Sequence, residues 1–78
     1  MPLYFLHVRD RGQLIRDLDG SSLPNLNAAR GEALESAREL MAQSIATNGR
    51  IGIERSVEIF DARGSMLLVV PFWQAINS

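Results

Sequence analysis

The 78-residue chain has no cysteine, no lysine, a single histidine and a single tryptophan. Without cysteine there is no disulfide framework, no thiolate metal site and no thiol nucleophile. No glycine-rich phosphate loop and no spaced set of metal ligands occurs either, so the reading is of a non-enzymatic domain with no cofactor. The N-terminus lacks a basic region followed by an apolar signal core, and no apolar run approaches the ~20 residues of a membrane span. A soluble, cytoplasmic protein without a membrane partner is expected. The eight basic residues are all arginine, and nine carboxylates bring the net charge to −1. That balance gives no general attraction to nucleic-acid backbones.

What is present is one strongly patterned stretch. Advancing 100° per residue from Leu26, the residues Ala29, Ala33, Leu34, Ala37, Leu40, Met41 and Ile45 fall on one broad apolar stripe, while Glu32, Glu35, Glu39 and Gln43 point away. An amphipathic helix from about Leu26 to about Thr47 is predicted. Asn25 is its N-cap, and Asn48-Gly49 provides the left-handed residue that stops it. Small alanines at the centre of the stripe allow close approach to a platform of larger side chains, most simply a sheet.

Around the helix, Leu3–Arg9 and Leu14–Leu18 read as a first strand pair joined by Asp10-Arg11-Gly12-Gln13. Ser56–Phe60 and Met66–Phe72 read as a second pair joined by Asp61-Ala62-Arg63-Gly64. The result is one α+β domain of order ββαββ spanning residues 1–78. The Met66–Phe72 run is almost continuously apolar, which implies burial on both faces. Placing it beside the first strand gives a four-stranded mixed sheet of order 2-1-4-3, with the helix packed on one face and a right-handed crossover. A domain this short buries only ~60% of the surface its unfolded chain exposes. The face away from the helix, with Phe5, His7 and Phe60, is then an apolar surface that a homodimer would cover, and Trp73 is a further candidate interface residue.

Individual residues offer weak chemistry. His7 could act as a base or a ligand, but a lone imidazole on a sheet is more simply a packed residue satisfied by a polar neighbour. Asp17-Leu18-Asp19-Gly20 resembles part of a calcium loop, yet aligning its glycine puts Ile15 and Leu26 at ligand positions, so it reads as a turn. Arg30 lies within the apolar stripe and must pair or snorkel. A structural ion pair with Asp10, Asp17 or Glu58 is the expectation. Tyr4, Phe5, Phe60, Arg9, Arg16 and Arg55 form a thin version of an RNA-binding sheet, which the balanced charge disfavours.

Blocks along almost the whole chain carry a resemblance: Tyr4-Phe5-x-His7-Val8-Arg9-Asp10, Leu23-Pro24-Asn25-Leu26, Glu32-Ala33-Leu34, Ala37-Arg38-Glu39-Leu40 and Val70-Pro71-Phe72. Together they resemble a family of small bacterial proteins, common in alpha-proteobacteria, that is defined as a domain of unknown function. The resemblance implies bacterial origin and carries over no catalytic residue. The strand pair followed by Leu23-Pro24-Asn25-Leu26 and the helix is also similar to the N-terminal domain of HicB-type antitoxins. That likeness implies a reduced ribonuclease-H-like fold and a regulatory, partner-binding role, but the chain has only two strands before its helix and no appended DNA-binding segment. A protein-interaction or self-associating module, acting by self-association and docking to another protein, is the functional expectation, with a HicB-like regulatory role as the alternative.

Overall fold

The computed structural model describes residues 1–76. Its elements are β1 (Leu3–Asp10), β2 (Gln13–Ile15), β3 (Ser21–Ser22), α1 (Leu26–Asn48), β4 (Ser56–Asp61), β5 (Met66–Pro71) and a 3₁₀ turn at Phe72–Ala75. The architecture is α+β: one long helix lies against an antiparallel sheet of path β2-β1-β4-β5, with β3 also paired to β1.

The helix starts and stops where its capping residues dictate. Asn25 is extended and its side-chain oxygen accepts the Ala28 N–H at 2.9 Å, satisfying one of the free donors of the first turn. Gly49 is left-handed and its N–H returns to the Ile45 carbonyl at 3.0 Å. Ala29, Ala33 and Ala37 are fully buried, and their lack of bulk lets the backbone settle onto Val57, Ile59, Val70 and Phe72. Ile45 does not belong to the buried stripe: it is 53% exposed, in the last part of α1, where no residue after Met41 is buried.

Strand order departs from the sequence expectation. The strand beside β1 is β4, paired antiparallel from Tyr4↔Asp61 to Arg9↔Ser56, and β5 lies outside it. The order 2-1-4-3 and the parallel central pair are therefore corrected: every pairing is antiparallel, and the parallel pair that favoured the HicB likeness is absent among the described residues. The strand directions follow from the chain geometry, since β2 and β4 both oppose β1. The helix crosses over β1 to link them.

The physical reason for the order lies in which residues reach the helix. On β4, Val57 and Ile59 are almost completely buried, whereas on β5 the apolar run divides between the two faces. Leu68 and Val70 face the core, while Met66, Leu67 and Val69 are 54%, 40% and 43% exposed. A continuous apolar run can thus be an edge strand with one face bare.

The other edge is broken. β2 is only three residues long, not the five of Leu14–Leu18, and β3 resumes the pairing at Leu3↔Ser22 and Tyr4↔Ser21. The intervening loop is pinned by Asp17, whose Oδ2 accepts the Leu6 N–H of β1 at 3.1 Å and whose Oδ1 accepts the N–H groups of Asp19 and Gly20. Gly20 has φ 73°, and a Cβ there would lie 2.9 Å from the Phe5 ring. Only glycine meets both constraints.

Candidate functional site

Register places the open face of the sheet directly. Phe5, His7 and Arg9 alternate along β1, opposite Phe60, Glu58 and Ser56 of β4. On β5, Met66 and Val69 stand opposite Phe60 and Glu58, with Leu67 as the extra residue of a bulge. Three of the four candidate interface residues are thus assembled. The His7 ring lies 4.9 Å from that of Phe60 and 6.4 Å from that of Phe5. Trp73 is not with them: it is 54% exposed on the 3₁₀ turn that packs on α1, and Phe72 is the aromatic that anchors this tail.

Among the described residues His7 is the one buried polar residue, 9% exposed. Its Nδ1 accepts the Asp17 N–H at 2.9 Å, so the ring hydrogen sits on Nε2. Imidazole and carboxylate therefore act as two halves of one clasp holding the Arg16–Gly20 loop to β1. Beyond them, Arg9 Nε donates to Glu58 Oε2 at 2.9 Å across β1 and β4. That side-chain hydrogen bond to Glu58 raises the Arg9 pKa above its ordinary value, reinforced by the charge attraction and opposed by desolvation.

The expected ion pair of Arg30 is not formed. Its guanidinium is exposed and donates to Gln74 Oε1 at 3.5 Å. The 3₁₀ turn, not a strand carboxylate, lies beside this part of the helix, and each expected partner sits elsewhere. Glu58 is taken by Arg9, Asp17 by backbone donors, and Asp10 lines a separate cleft. The thin RNA platform does not assemble either. Tyr4 faces the helix in the core, and Arg55 is committed to the backbone.

Arg55 is the structural residue that sequence reasoning missed. Its Nε donates to the Gly52 carbonyl at 3.0 Å, and its Nη2 donates to those of Ile51 and Leu40 at 3.2 and 3.4 Å. The guanidinium carbon lies 4.7 Å over the Phe72 ring. One side chain therefore ties the C-terminal half of α1, the connection to β4 and the tail together. Gly52, at φ 69°, leaves room for it. The only sequence signal was an arginine beside two glycine-containing turns, Asn48-Gly49 and Ile51-Gly52.

Two clefts flank these networks. The larger, about 520 Å³, lies where α1 ends and is lined by Asp10, Arg11, Arg50, Glu54 and Arg55 among others. Its charges are mixed: Arg55 is spent on carbonyls, Arg11 faces Glu54 at 3.7 Å, and Arg50 shares the lining with Asp10 beside a helix C-terminus, which carries partial negative charge. The smaller, about 240 Å³, opens beside His7 under the Arg16–Gly20 loop. No group of histidines and carboxylates among the described residues could hold a metal ion. No helix there is long and apolar enough to cross a membrane.

Fold and surface define a small α+β domain with one helix-covered sheet face and one bare, partly aromatic face that ends at an apolar edge strand. The chain belongs to the family described as Domain of unknown function (DUF6894), whose model matches residues 3–73. No curated protein and no solved structure matches it.

Proposed function

We propose that this domain is a non-catalytic, self-associating module in which two copies pair their β5 edges antiparallel about a two-fold axis, joining two sheets into one. The observation that carries this reading is the edge itself. β5 has no strand on its outer side among the described residues, it carries no charged side chain, and Met66, Leu67 and Val69 are each at least 40% exposed. Natural edge strands are blunted by charge, brevity, cover, proline or a bulge; β2 and β3 at the opposite edge are short, whereas β5, between its bulge at Leu67 and Pro71 at its end, keeps the uncharged stretch Leu68, Val69 and Val70 open.

A second copy is the occupant that the chemistry favours. A strand lying antiparallel to its own copy is self-complementary by symmetry, and an uncharged strand meets no like-charge penalty. An edge-to-edge contact of this length falls at the small end of specific interfaces, so a dissociation constant on the order of 10 μM is expected.

Light scattering of the purified chain over a tenfold concentration range tests this. The mass should rise from 8.7 kDa toward twice that value. Val69→Lys should hold it at the monomer with the fold retained, since the new cation stands opposite Glu58. A wild-type mass fixed at the monomer up to about 1 mM, far above the affinity expected for such an interface, overturns the reading. A dimer dissociated by Phe5→Glu but not by Val69→Lys moves the interface from the edge to the open face.

A further inference from the structure

The cleft beside His7 has features that neither the fold nor self-association requires. We propose that it binds a small aromatic carboxylate.

Its donor is already oriented. His7 Nδ1 is occupied by the Asp17 N–H, and no group among the described residues pairs with Nε2. No side-chain nitrogen or oxygen among the described residues is both sealed from solvent and unpartnered, so Nε2–H is open to solvent, on a residue that lines the cleft. The walls are flat and apolar, formed by Phe5 and Phe60, while Leu18 stands 83% exposed on the overlying loop. Arg16, exposed and without a hydrogen-bond or ion-pair partner among the described residues, lines the same cleft.

The two carboxylates in the lining keep their formal charges, but both are turned onto backbone donors, which leaves Arg16 as the lining charge without a partner among the described residues. Asp17 accepts from Leu6, Asp19 and Gly20, and Asp61 Oδ1 accepts from Arg63 and Ser65. A ligand oxyanion would meet Nε2–H and the guanidinium while its ring packs on the phenylalanines. At about 240 Å³ the cleft takes a single ring, smaller than a drug-sized ligand.

The test is a titration of the full chain, followed by ¹H–¹⁵N NMR, with benzoate, benzamide and benzylammonium. Benzoate should shift the His7 Nε2 and Asp17 amide resonances saturably, with a dissociation constant on the order of 1 mM. Benzamide should bind roughly fivefold more weakly, having no charge for Arg16. Arg16→Gln, an exposed substitution that leaves the loop clasp intact, should reduce benzoate to the level of benzamide. No saturable shift with benzoate, equal or tighter binding of benzylammonium, or unchanged benzoate binding in Arg16→Gln each overturns the proposal.

Discussion

Replacing Asp17 should damage this protein more than any other single carboxylate change, and the structure says where. The side chain accepts three backbone N–H groups: Leu6 at 3.1 Å on Oδ2, and Asp19 and Gly20 at 3.3 and 3.1 Å on Oδ1. Hydrogen bonds to an ionised acceptor contribute about 1.5–3 kcal/mol each, and a donor left unmet costs about 1–3 kcal/mol. These three share one half-buried acceptor, so they do not add fully. Asp17→Ala should therefore cost about 2–4 kcal/mol, against a total stability of about 5–15 kcal/mol for a domain. At this size each kcal/mol shifts Tm by about 4–8 °C, so the melting temperature should fall by roughly 8–32 °C. Asp17→Asn separates the two oxygens. Its amide oxygen can keep Asp19 and Gly20, which turns the NH₂ toward the Leu6 N–H, donor against donor. About half the loss should follow, with the Leu6 amide exchanging faster in hydrogen-exchange NMR than in the wild type. An Asp17→Asn protein within about 0.5 kcal/mol of the wild type, the range of a neutral surface change, with Leu6 still protected, would refute the clasp.

Three further substitutions test the remaining supports. Asn25→Ala removes the cap on the Ala28 N–H and should cost about 1 kcal/mol by thermal melting, while Asn25→Asp should match or slightly exceed the wild type, because no acidic residue occupies the first turn. Arg55→Lys keeps the charge but loses the planar fork over three carbonyls and the Phe72 face, and should cost about 1.5–3 kcal/mol in chemical denaturation. Ala37→Leu should overpack the helix seat by about 1–3 kcal/mol, whereas Ile45→Glu, at an exposed position, should stay within about 0.5 kcal/mol.

Much of this could be read from the residues, because it is local. The alanine stripe, the Asn25 cap and the Gly49 stop are decided within a few residues, and all three appear where their chemistry puts them. The turns between paired strands are equally local. Sheet order is not: it depends on which hairpin strand reaches the helix, and the run Met66–Val70 looked more buried than Ser56–Phe60 because apolar count ignores alternation. Leu68 and Val70 face inward while Val69 faces out, and the extra residue Leu67 in the bulge hides the period. Arg30 shows the same limit at a single side chain, since an angular position on the helix does not say what lies above it. The clasp of His7 and Asp17 joins residues ten apart through a loop whose path no pattern announces.

The proposed dimer stands or falls on whether two copies meet at the apolar β5 edge. An equimolar mixture of ¹³C,¹⁵N-labelled and unlabelled chain, at a concentration well above the dissociation constant, tests it most directly through isotope-filtered NOE spectra. Intermolecular contacts are expected between β5 residues of the two copies, centred on Leu68 and Val69 and symmetric about that point. Intermolecular contacts confined to Phe5 and Phe60, or none at all, would contradict it.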